Sequence, residues 1–214
     1  MSTTEFPQEV RKSFRRHGIL FVVAAPSGTG KSTLCNSLRQ SPDFIYSVSC
    51  TTRAPRPGEI DGEDYHFLTK ESFEAKIAAG GFIEHACVHG NYYGTLKQTV
   101  LDAIAEGTDV LLDIDVQGAA SIRQNADPRI ASSLVDVFIM PPTFEELERR
   151  LRKRGTETEE SIVRRLANGR EEMQRWHEFK YTILSGSMEE DLTKFRAIMR
   201  AERYLSRRLT LDES

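Results

Sequence analysis

Residues 19–40 read ILFVVAAPSGTGKSTLCNSLRQ, which is an uninterrupted apolar run, a short loop with two glycines and an amphipathic segment. The run from Ile19 to Ala25 shows no polar alternation, and such runs are typical of strands buried on both faces of a parallel sheet. After the loop, Leu34 and Leu38 fall on one face of a predicted helix over residues 31–40. The stretch therefore predicts a buried strand, a loop and a helix in direct succession.

The loop nearly matches the phosphate-binding pattern G-x-x-x-x-G-K-[ST] and departs from it only at the first position, where Ala25 stands for glycine. Glycines let backbone N–H groups converge on phosphate oxygens, and the helix N-terminus favours negative charge at the same place. A tight turn with a solvated lysine is the alternative, but the strand before the loop and the helix after it are the setting that a phosphate loop requires. Lys31 is therefore predicted to contact the β- and γ-phosphates of a nucleotide, and Ser32 to be a ligand of Mg²⁺. The predicted nucleotide-binding residues of the loop are Ala25, Pro26, Ser27, Gly28, Thr29, Gly30, Lys31 and Ser32.

Later segments of the chain repeat the alternation of strand and helix. Apolar runs at 110–114, 134–140 and 181–184 predict further strands, and periodic segments at 96–106, 144–154 and 187–208 predict helices. Between 47 and 98, short strand-like pieces flank a helix, which suggests an inserted subdomain. Residues 150–175 are dense in arginine and glutamate and predict a mobile lid, although Asn168-Gly169 lowers its helical propensity. The pattern predicts a layered α/β fold.

The composition of the chain limits the classes of partner that it can bind. The 214 residues carry a formal net charge of −3, so no global basic field is available for nucleic acid, and a small anionic substrate fits better. The longest apolar run is far shorter than the ~20 residues of a membrane span, and residues 1–10 are polar and lack a secretory signal. We expect a cytoplasmic protein with reduced, packed cysteines and no nucleic-acid or membrane partner. Residues 1–18 show no period and are predicted to be a flexible leader.

Six further blocks resemble the guanylate kinase family. They are SVSCTTRAPRPGE at 47–59, GEDYHF at 62–67, FIE at 82–84, NYYGT at 91–95, DIDVQG at 113–118 and RGTE at 154–157. Their order and spacing resemble that family from about residue 18 to residue 208. The resemblance implies a P-loop kinase fold of class α/β: a three-layer core with a parallel sheet, an inserted mixed α+β GMP-binding subdomain and a helical lid. It divides residues 19–214 into core (19–47, 99–143 and 176–214), GMP-binding insert (48–98) and lid (144–175).

The resemblance also implies which residues contact GMP. Those facing the guanine base would be Ser49, Glu84, Thr95 and Asp115, and those holding the phosphate would be Arg53, Arg56, Tyr65 and Tyr93. The residue types suit these tasks, because guanidinium groups pair with phosphate oxygens through planar forks. A carboxylate can likewise accept the N1–H and N2–H₂ donors of guanine, a pair that adenine lacks. The alternatives are a solvated basic turn for the arginines and a capping carboxylate for Asp115.

The remaining implied roles concern ATP and the metal. Asp113 resembles a Walker B aspartate and is predicted to orient Mg²⁺ through water, with a capping role as the alternative. Arg150, Arg154 and Arg165 resemble lid arginines that close over ATP, although each could instead lie on a charged helix surface. The predicted catalytic residues are Lys31, Arg53, Arg154 and Arg165.

The implied reaction is transfer of the γ-phosphoryl group of ATP to GMP, giving ADP and GDP, with Mg²⁺ as cofactor. The substrates are then ATP and GMP, and a homo-oligomer stays possible. The main alternative is a non-catalytic guanylate-kinase-like protein-binding module, which the intact phosphate loop disfavours; a kinase for another monophosphate is the nearer one. Ser185-Gly186-Ser187 stands where family members often carry Asn-Asp, so the adenine contacts are left open.

Overall fold

The computed structural model describes residues 14–40, 44–88, 90–125, 127–153 and 158–211. In chain order, its strands are Phe14–Arg16 (β1), Leu20–Ala24 (β2), Ile45–Tyr46 (β3), Cys50–Thr51 (β4), His66–Phe67 (β5), Phe82–Val88 (β6), Asn91–Leu96 (β7), Val110–Asp113 (β8), Leu134–Met140 (β9), Tyr181–Leu184 (β10) and Leu209–Leu211 (β11). Its α-helices are Lys31–Arg39 (α1), Lys70–Ala78 (α2), Lys97–Ala105 (α3), Val116–Arg123 (α4), Pro128–Ser133 (α5), Phe144–Lys153 (α6), Glu159–Gln174 (α7) and Met188–Arg203 (α8). None of the helices in these ranges is long and apolar enough to cross a membrane.

The core is a five-stranded sheet in the order β10-β9-β2-β8-β3, with parallel pairing throughout. Its central strand β2 is 0% exposed along its whole length. Leu20 and Val22 pack into a cluster with α3, α4 and α5, whereas Phe21 and Val23 pack into a second cluster with α1 and α8. Each such buried side chain contributes about 2 kcal/mol relative to exposure. Helices therefore cover both faces of the sheet, and the predicted three-layer α/β core is confirmed.

A second sheet of four strands, in the order β5-β4-β7-β6, lies beside the core. The β6–β7 and β4–β7 pairs are antiparallel, and the β4–β5 pair is parallel. Helix α2 anchors this sheet through Phe73, which stacks on Phe82 and Tyr92 at ring-centroid distances of 4.3 and 5.3 Å. The side chain of Thr69 caps α2 by accepting the Ser72 N–H. Mixed pairing and a single flanking helix match the α+β character predicted for this segment, while the exact boundaries of core, insert and lid stay predictions.

Helices α6 and α7 lie over the loop that follows β2, and their packing explains Asn168-Gly169. Helix α7 continues through both residues without interruption. A Cβ atom added at Gly169 would lie 2.9 Å from Cδ2 of Leu147 and 3.8 Å from Cβ of Pro26. Glycine is therefore used here because α7 approaches both α6 and the loop closely, and this approach offsets the low helical propensity.

Three sequence-based expectations need correction. The prediction of a flexible leader over residues 1–18 is wrong for residues 14–18, because β1 pairs antiparallel with β11, and residues 1–13 lie outside the described ranges. The expectation that all three cysteines pack inside is also wrong for Cys87, which is exposed, whereas Cys35 and Cys50 are buried. Arg16 further fixes the N-terminal segment by donating to Asp109 Oδ1 at 2.6 Å. Helix α8 ends at Arg203, earlier than predicted, and the chain turns back to form β11.

The close contact at Gly18 leads to a stability prediction. Its N–H donates to the Ile104 carbonyl at 2.9 Å, and a Cβ atom here would overlap the Thr108 carbonyl oxygen and lie 2.9 Å from Cα of Ile104. Both of these atoms belong to the backbone, so they can make room for the Cβ atom only if α3 or the turn after it moves. We expect Gly18→Ala to lower the free energy of unfolding by about 2 kcal/mol. Urea unfolding followed by circular dichroism measures this, and an unchanged midpoint would show that residues 14–18 are not held as described.

Candidate active site

The loop after β2 forms a tight turn that ends at the N-terminus of α1. Gly28 and Gly30 adopt φ values of 95° and 102°, in the left-handed region that favours glycine. Thr29 is 2% exposed, and its hydroxyl donates to the Pro26 carbonyl at 2.7 Å. The Gly30 carbonyl then accepts the Leu34 N–H, which begins the helix. The two glycines of the loop are therefore required by its backbone conformation.

Lys31 reaches from the start of α1 to the carboxyl end of β8. Its ammonium group forms an ion pair with Oδ1 of Asp113 and donates to the Ile114 carbonyl at 2.7 Å. Behind this pair, burial and then the charge of Asp113 raise the pKa of the Cys35 thiol, which keeps the thiol neutral. The cation is thus held where parallel strands end, the usual place for ligands in open α/β sheets.

Arg150 joins the lid helix α6 to the loop. Its Nη1 donates to the Thr29 carbonyl at 2.8 Å and to Oγ of Ser185 at 3.1 Å, while its Nε donates to Glu146 at 2.7 Å. Ser185 is buried and donates to Asp191 Oδ2 at 2.9 Å. These groups border a cavity of about 240 Å³ beside the loop. Its lining residues are Gly28, Thr29, Gly30, Leu34, Ile139, Arg150, Lys153, Ser185, Gly186, Met188 and Asp191.

A second cluster lies at the four-stranded sheet and centres on Arg53. Its Nη2 donates to both carboxylate oxygens of Glu59, at 2.8 and 3.0 Å, and its guanidinium carbon lies 5.5 Å from the centroid of the Tyr65 ring. Tyr65 and Tyr93 meet edge to face, with centroids 6.1 Å apart. The hydrogen bond to Glu59 raises the pKa of Arg53 above its ordinary value. The structure therefore brings together three of the four residues predicted for phosphate, while the side chain of Arg56 is exposed beside them.

Glu59 is a member of this cluster that the sequence analysis missed. Besides Arg53, it accepts the backbone N–H of Arg56 at 2.7 Å. The bond from Arg53 and that from the Arg56 backbone hold the pKa of the Glu59 carboxyl below its ordinary value. Hydrogen bonds between charged groups, as here, are about twice as strong as those between neutral groups. A carboxylate six residues after Arg53, inside the block at 47–59, was the signal in the sequence.

Glu84 and Thr95 are register partners on β6 and β7. Thr95 is fully buried, and its hydroxyl donates to Glu84 Oε1 at 2.8 Å. Burial raises the pKa of the Glu84 carboxyl, and the negative charge of Asp115 raises it further. Asp115 caps α4 by accepting the Gly118 N–H at 2.7 Å, as the capping alternative predicts, and its charge also reaches Glu84, while its contact with the base stays a prediction. Ser49, the fourth residue predicted for the base, is half-buried just ahead of β4.

Helices α6 and α7, in the segment predicted to be a lid, contribute residues above the loop. Leu151 of α6 covers the loop, because a Cβ atom at Gly28 would lie 2.6 Å from its Cδ2. On α7, Arg165 and Glu172 are half-buried, and Oε2 of Glu172 is sealed from solvent without a hydrogen-bond partner among the described residues. The sequence analysis did not predict Glu172, since only the tertiary packing of α7 brings it to the loop. Arg154, predicted to be catalytic, lies outside the described residues.

The oxygen donors near Lys31 fit the magnesium ion predicted from the sequence. Ser32 presents an exposed hydroxyl in the first turn of α1, and the Asp113 carboxylate ends β8. Mg²⁺ typically takes one or two protein oxygens together with substrate phosphates and water, and these two donors meet that requirement. Within the described ranges, no three His, Cys, Asp or Glu side chains cluster around a common metal position.

A glycine loop at the carboxyl end of a central parallel strand, with its lysine paired to the aspartate of the neighbouring strand, defines this chain as a P-loop kinase by fold. The sequence profile of the guanylate kinase family matches residues 17–202. The chain therefore belongs to the guanylate kinase family.

Individual relatives agree with this assignment. The chain is 45% identical over 204 residues to a guanylate kinase of Maricaulis maris, covering 95% of this chain and 91% of that protein. It is 47% identical over 189 residues to a guanylate kinase of Syntrophotalea carbinolica, covering 88% of each. The crystal structure of guanylate kinase from Anaplasma phagocytophilum superposes with a TM-score of 0.72 at 33% identity, covering 92% of this chain and 93% of that one.

Proposed function

We propose that the chain is an ATP:GMP phosphotransferase that transfers the γ-phosphoryl group of ATP to GMP and releases ADP and GDP. The main observation in support of this proposal is that residues 113–115 connect the two parts of the site, the loop after β2 and the four-stranded sheet. Asp113 pairs with Lys31 on the loop side, the Ile114 carbonyl accepts from the same lysine, and Asp115 acts electrostatically on Glu84 on the insert side. A donor bound at the loop and an acceptor bound at the second sheet would then meet over the end of β8.

The assignment of GMP as acceptor rests on the Arg53 and Glu84 clusters. The phosphate would be held by Arg53, Arg56, Tyr65 and Tyr93, since the guanidinium and phenol groups donate to phosphate oxygens. The base would lie against Ser49, Glu84, Thr95 and Asp115, where Glu84 can accept the two donors on the guanine edge. The hydroxyl of Thr95 already orients one oxygen of Glu84. An adenine base offers no matching donor pair, so the same arrangement disfavours AMP.

The reaction needs no protein nucleophile. An ionised phosphate oxygen of GMP would attack the γ-phosphorus in line, forming one P–O bond while the bond to the β-γ bridging oxygen breaks and ADP leaves. Lys31, Arg53, Arg165 and Arg154 would neutralise the charge on the transferring group. Arg150 would help to hold ATP, and the adenosine of ATP would lie in the cavity beside the loop. Mg²⁺, held by Ser32 and through water by Asp113, would supply further positive charge to the phosphates.

The direct test is release of ADP from MgATP by the purified protein, with GMP, AMP, CMP, UMP and dTMP offered separately. Activity with GMP alone is expected. Activity with a different monophosphate would retain the kinase and reject the guanine site. Folded protein that is silent with all five would favour the binding-module alternative, which neither the intact loop nor the relatives support.

A single substitution at Glu84 tests the proposed guanine site. Glu84→Gln keeps the shape of the side chain but replaces one acceptor with an N–H₂ donor that faces guanine donors. We expect kcat/KM for GMP to fall by about 10-fold to 150-fold, because hydrogen bonds to charged groups contribute about 1.5–3 kcal/mol. The measurement is kcat/KM with varied GMP, and Glu63→Gln, an exposed glutamate of the insert, is the matched control.

The pH dependence of the same variant adds a second readout. Because burial raises the pKa of Glu84, the wild-type kcat/KM for GMP should decline as the pH falls through this raised value. The protonated carboxyl can no longer accept two donors. Glu84→Gln should lack this decline. An unchanged kcat/KM at neutral pH would remove Glu84 from the guanine site.

A further inference from the structure

Glu59 is a carboxylate inside the cluster proposed for the GMP phosphate, and the proposed mechanism gives it no task. Its side chain is 19% exposed, and that of its partner Arg53 is 16% exposed. The bond from Arg53 and that from the Arg56 backbone hold its pKa below the ordinary value, so Glu59 is ionised at neutral pH. A negative charge at this place repels a phosphate and would by itself weaken binding of GMP. Its presence in a phosphate site therefore needs an explanation.

A tight turn brings Glu59 back to the two arginines. The Glu59 N–H donates to the Arg56 carbonyl at 3.1 Å, and Gly58 between them has a φ of 90°. Proline followed by glycine favours a type II turn, whose second central residue needs a positive φ, and Pro57 and Gly58 follow this order. Within the turn, Oε2 of Glu59 accepts the Arg56 N–H at 2.7 Å. The turn thus holds the carboxylate beside Arg53.

Arg53 is held at its backbone as well as at its side chain. Its backbone N–H donates at 3.1 Å to Oγ1 of Thr51, which is fully buried. Its Nη1 donates to the Ala54 carbonyl at 2.7 Å, and its Nη2 donates to the two oxygens of Glu59 at 2.8 and 3.0 Å. The Tyr65 ring lies on a further side, with its centroid 5.5 Å from the guanidinium carbon. In this set of contacts, Glu59 supplies the opposite charge.

These contacts leave part of Arg53 available to a substrate. A guanidinium group carries five N–H donors in a fixed planar arrangement, and the bonds to Ala54 and Glu59 use no more than three of them. An arginine side chain has several rotatable bonds, and ordering it only when the ligand binds costs conformational entropy. A carboxylate that orders the side chain beforehand removes this cost.

We propose that Glu59 is a positioning residue that holds the Arg53 guanidinium group in the orientation that receives the phosphate of GMP. The inference rests on the proposed function, which assigns this cluster to GMP. Ordering of Arg53 favours GMP, whereas repulsion between Glu59 and the phosphate opposes it. The two effects therefore predict opposite results when the charge of Glu59 is removed: GMP is used less well if ordering dominates, as we propose, and better if repulsion dominates.

Glu59→Gln is the test variant. Its amide oxygen can still accept the Arg56 N–H and keep the turn, whereas its N–H₂ group replaces the acceptor that faces Nη2 of Arg53. We expect kcat/KM for GMP to fall by about tenfold, the lower end of the effect of a hydrogen bond to a charged group. The KM for ATP should stay unchanged, because the phosphate loop lies outside this cluster. Glu63→Gln, at an exposed glutamate of the same segment, is the matched control and should behave as the wild type does.

A double-mutant cycle with Arg53→Ala shows whether Glu59 acts through Arg53. The two substitutions are measured singly and together, and kcat/KM for GMP is compared among the four proteins. A residue that only orients Arg53 has nothing to orient after Arg53→Ala, so Glu59→Gln should then no longer lower kcat/KM for GMP. A purely structural role of Glu59 would lower it equally in both backgrounds.

Glu59→Ala serves as a second variant and should lower kcat/KM for GMP at least as much as Glu59→Gln does, with circular dichroism as the check on folding. Unchanged or higher kcat/KM for GMP in folded Glu59→Gln overturns the inference, and so does a loss of equal size in the Arg53→Ala background. In both cases an active wild type leaves the proposed function intact. A wild type that does not phosphorylate GMP overturns the proposed function and this inference together.

Discussion

Lys31→Ala is expected to lower kcat at least a hundredfold while the fold stays intact. The catalytic step consists of positioning and charge neutralisation, so removing the cation nearest to the transferring phosphates removes stabilisation that only the transition state uses fully. A hundredfold corresponds to about 2.7 kcal/mol of activation free energy. The ion pair with Asp113 and the bond to the Ile114 carbonyl are lost as well; the side chains of Lys31 and Asp113 are 20% and 15% exposed, although the paired oxygen Oδ1 of Asp113 is itself buried.

A companion variant separates charge from packing. Lys31→Met retains most of the aliphatic chain and should lose activity as Lys31→Ala does, whereas a loss confined to Lys31→Ala would indicate packing. Steady-state kinetics with saturating GMP measure kcat, and circular dichroism checks the fold. Near-normal turnover of folded Lys31→Ala would remove this residue from the catalytic machinery.

Glu202→Ala is expected to cost about 3–5 kcal/mol of the free energy of unfolding. Glu202 is 1% exposed and accepts a bond from Arg208 Nη2 at 2.7 Å, while Arg208 itself is 4% exposed. Removing the carboxylate leaves a buried guanidinium group without its counter-charge. It also removes the acceptor for Lys180 and for the Tyr181 hydroxyl, at 2.6 and 2.8 Å. Urea unfolding at neutral pH measures the loss, and Arg196→Ala, on the exposed side of α8, should change stability by less than about 0.5 kcal/mol.

The stabilisation that the Glu202 carboxylate provides should decrease at low pH. Burial opposes ionisation of Glu202, but the bonds from Arg208, Lys180 and Tyr181 outweigh it and lower the pKa of the carboxyl from 4.5 to about 2. The stabilisation is therefore complete above pH 4.5 and declines as the pH falls toward 2. The difference between wild type and Glu202→Ala should shrink over the same interval. A difference below 1 kcal/mol at pH 7 would contradict the buried ion pair.

Local pattern was enough to predict the core. The apolar run of β2 and the glycine loop after it depend only on neighbouring residues, so the strand, the loop and α1 follow from periodicity and turn chemistry. The β1–β11 pair could not be found in this way, since it joins segments nearly two hundred residues apart and each strand has only three residues. Helices α4 and α5 were likewise missed, because they are short and their apolar faces show only one or two turns of periodicity.

The residues of the site also divide into those that the sequence predicts and those that depend on tertiary packing. Arg53, Tyr65 and Tyr93 were predicted from the family resemblance and do lie together, and Glu59 could have been added from its sequence distance to Arg53. Glu172 depends on how α7 packs against the loop, and no local pattern carries that information. The roles of all these residues in binding substrate remain predictions for the experiments above.

The pairing of β1 with β11 closes residues 14–211 nearly into a ring. Phe14 and Leu211 are register partners, so the two points where the described backbone starts and stops are separated by about one interstrand spacing. A short peptide linker could connect them without disturbing the central sheet. The packing of the segments then does not depend on their order along the chain. Circular permutants opened at an exposed turn would have new termini elsewhere and would keep both sheets.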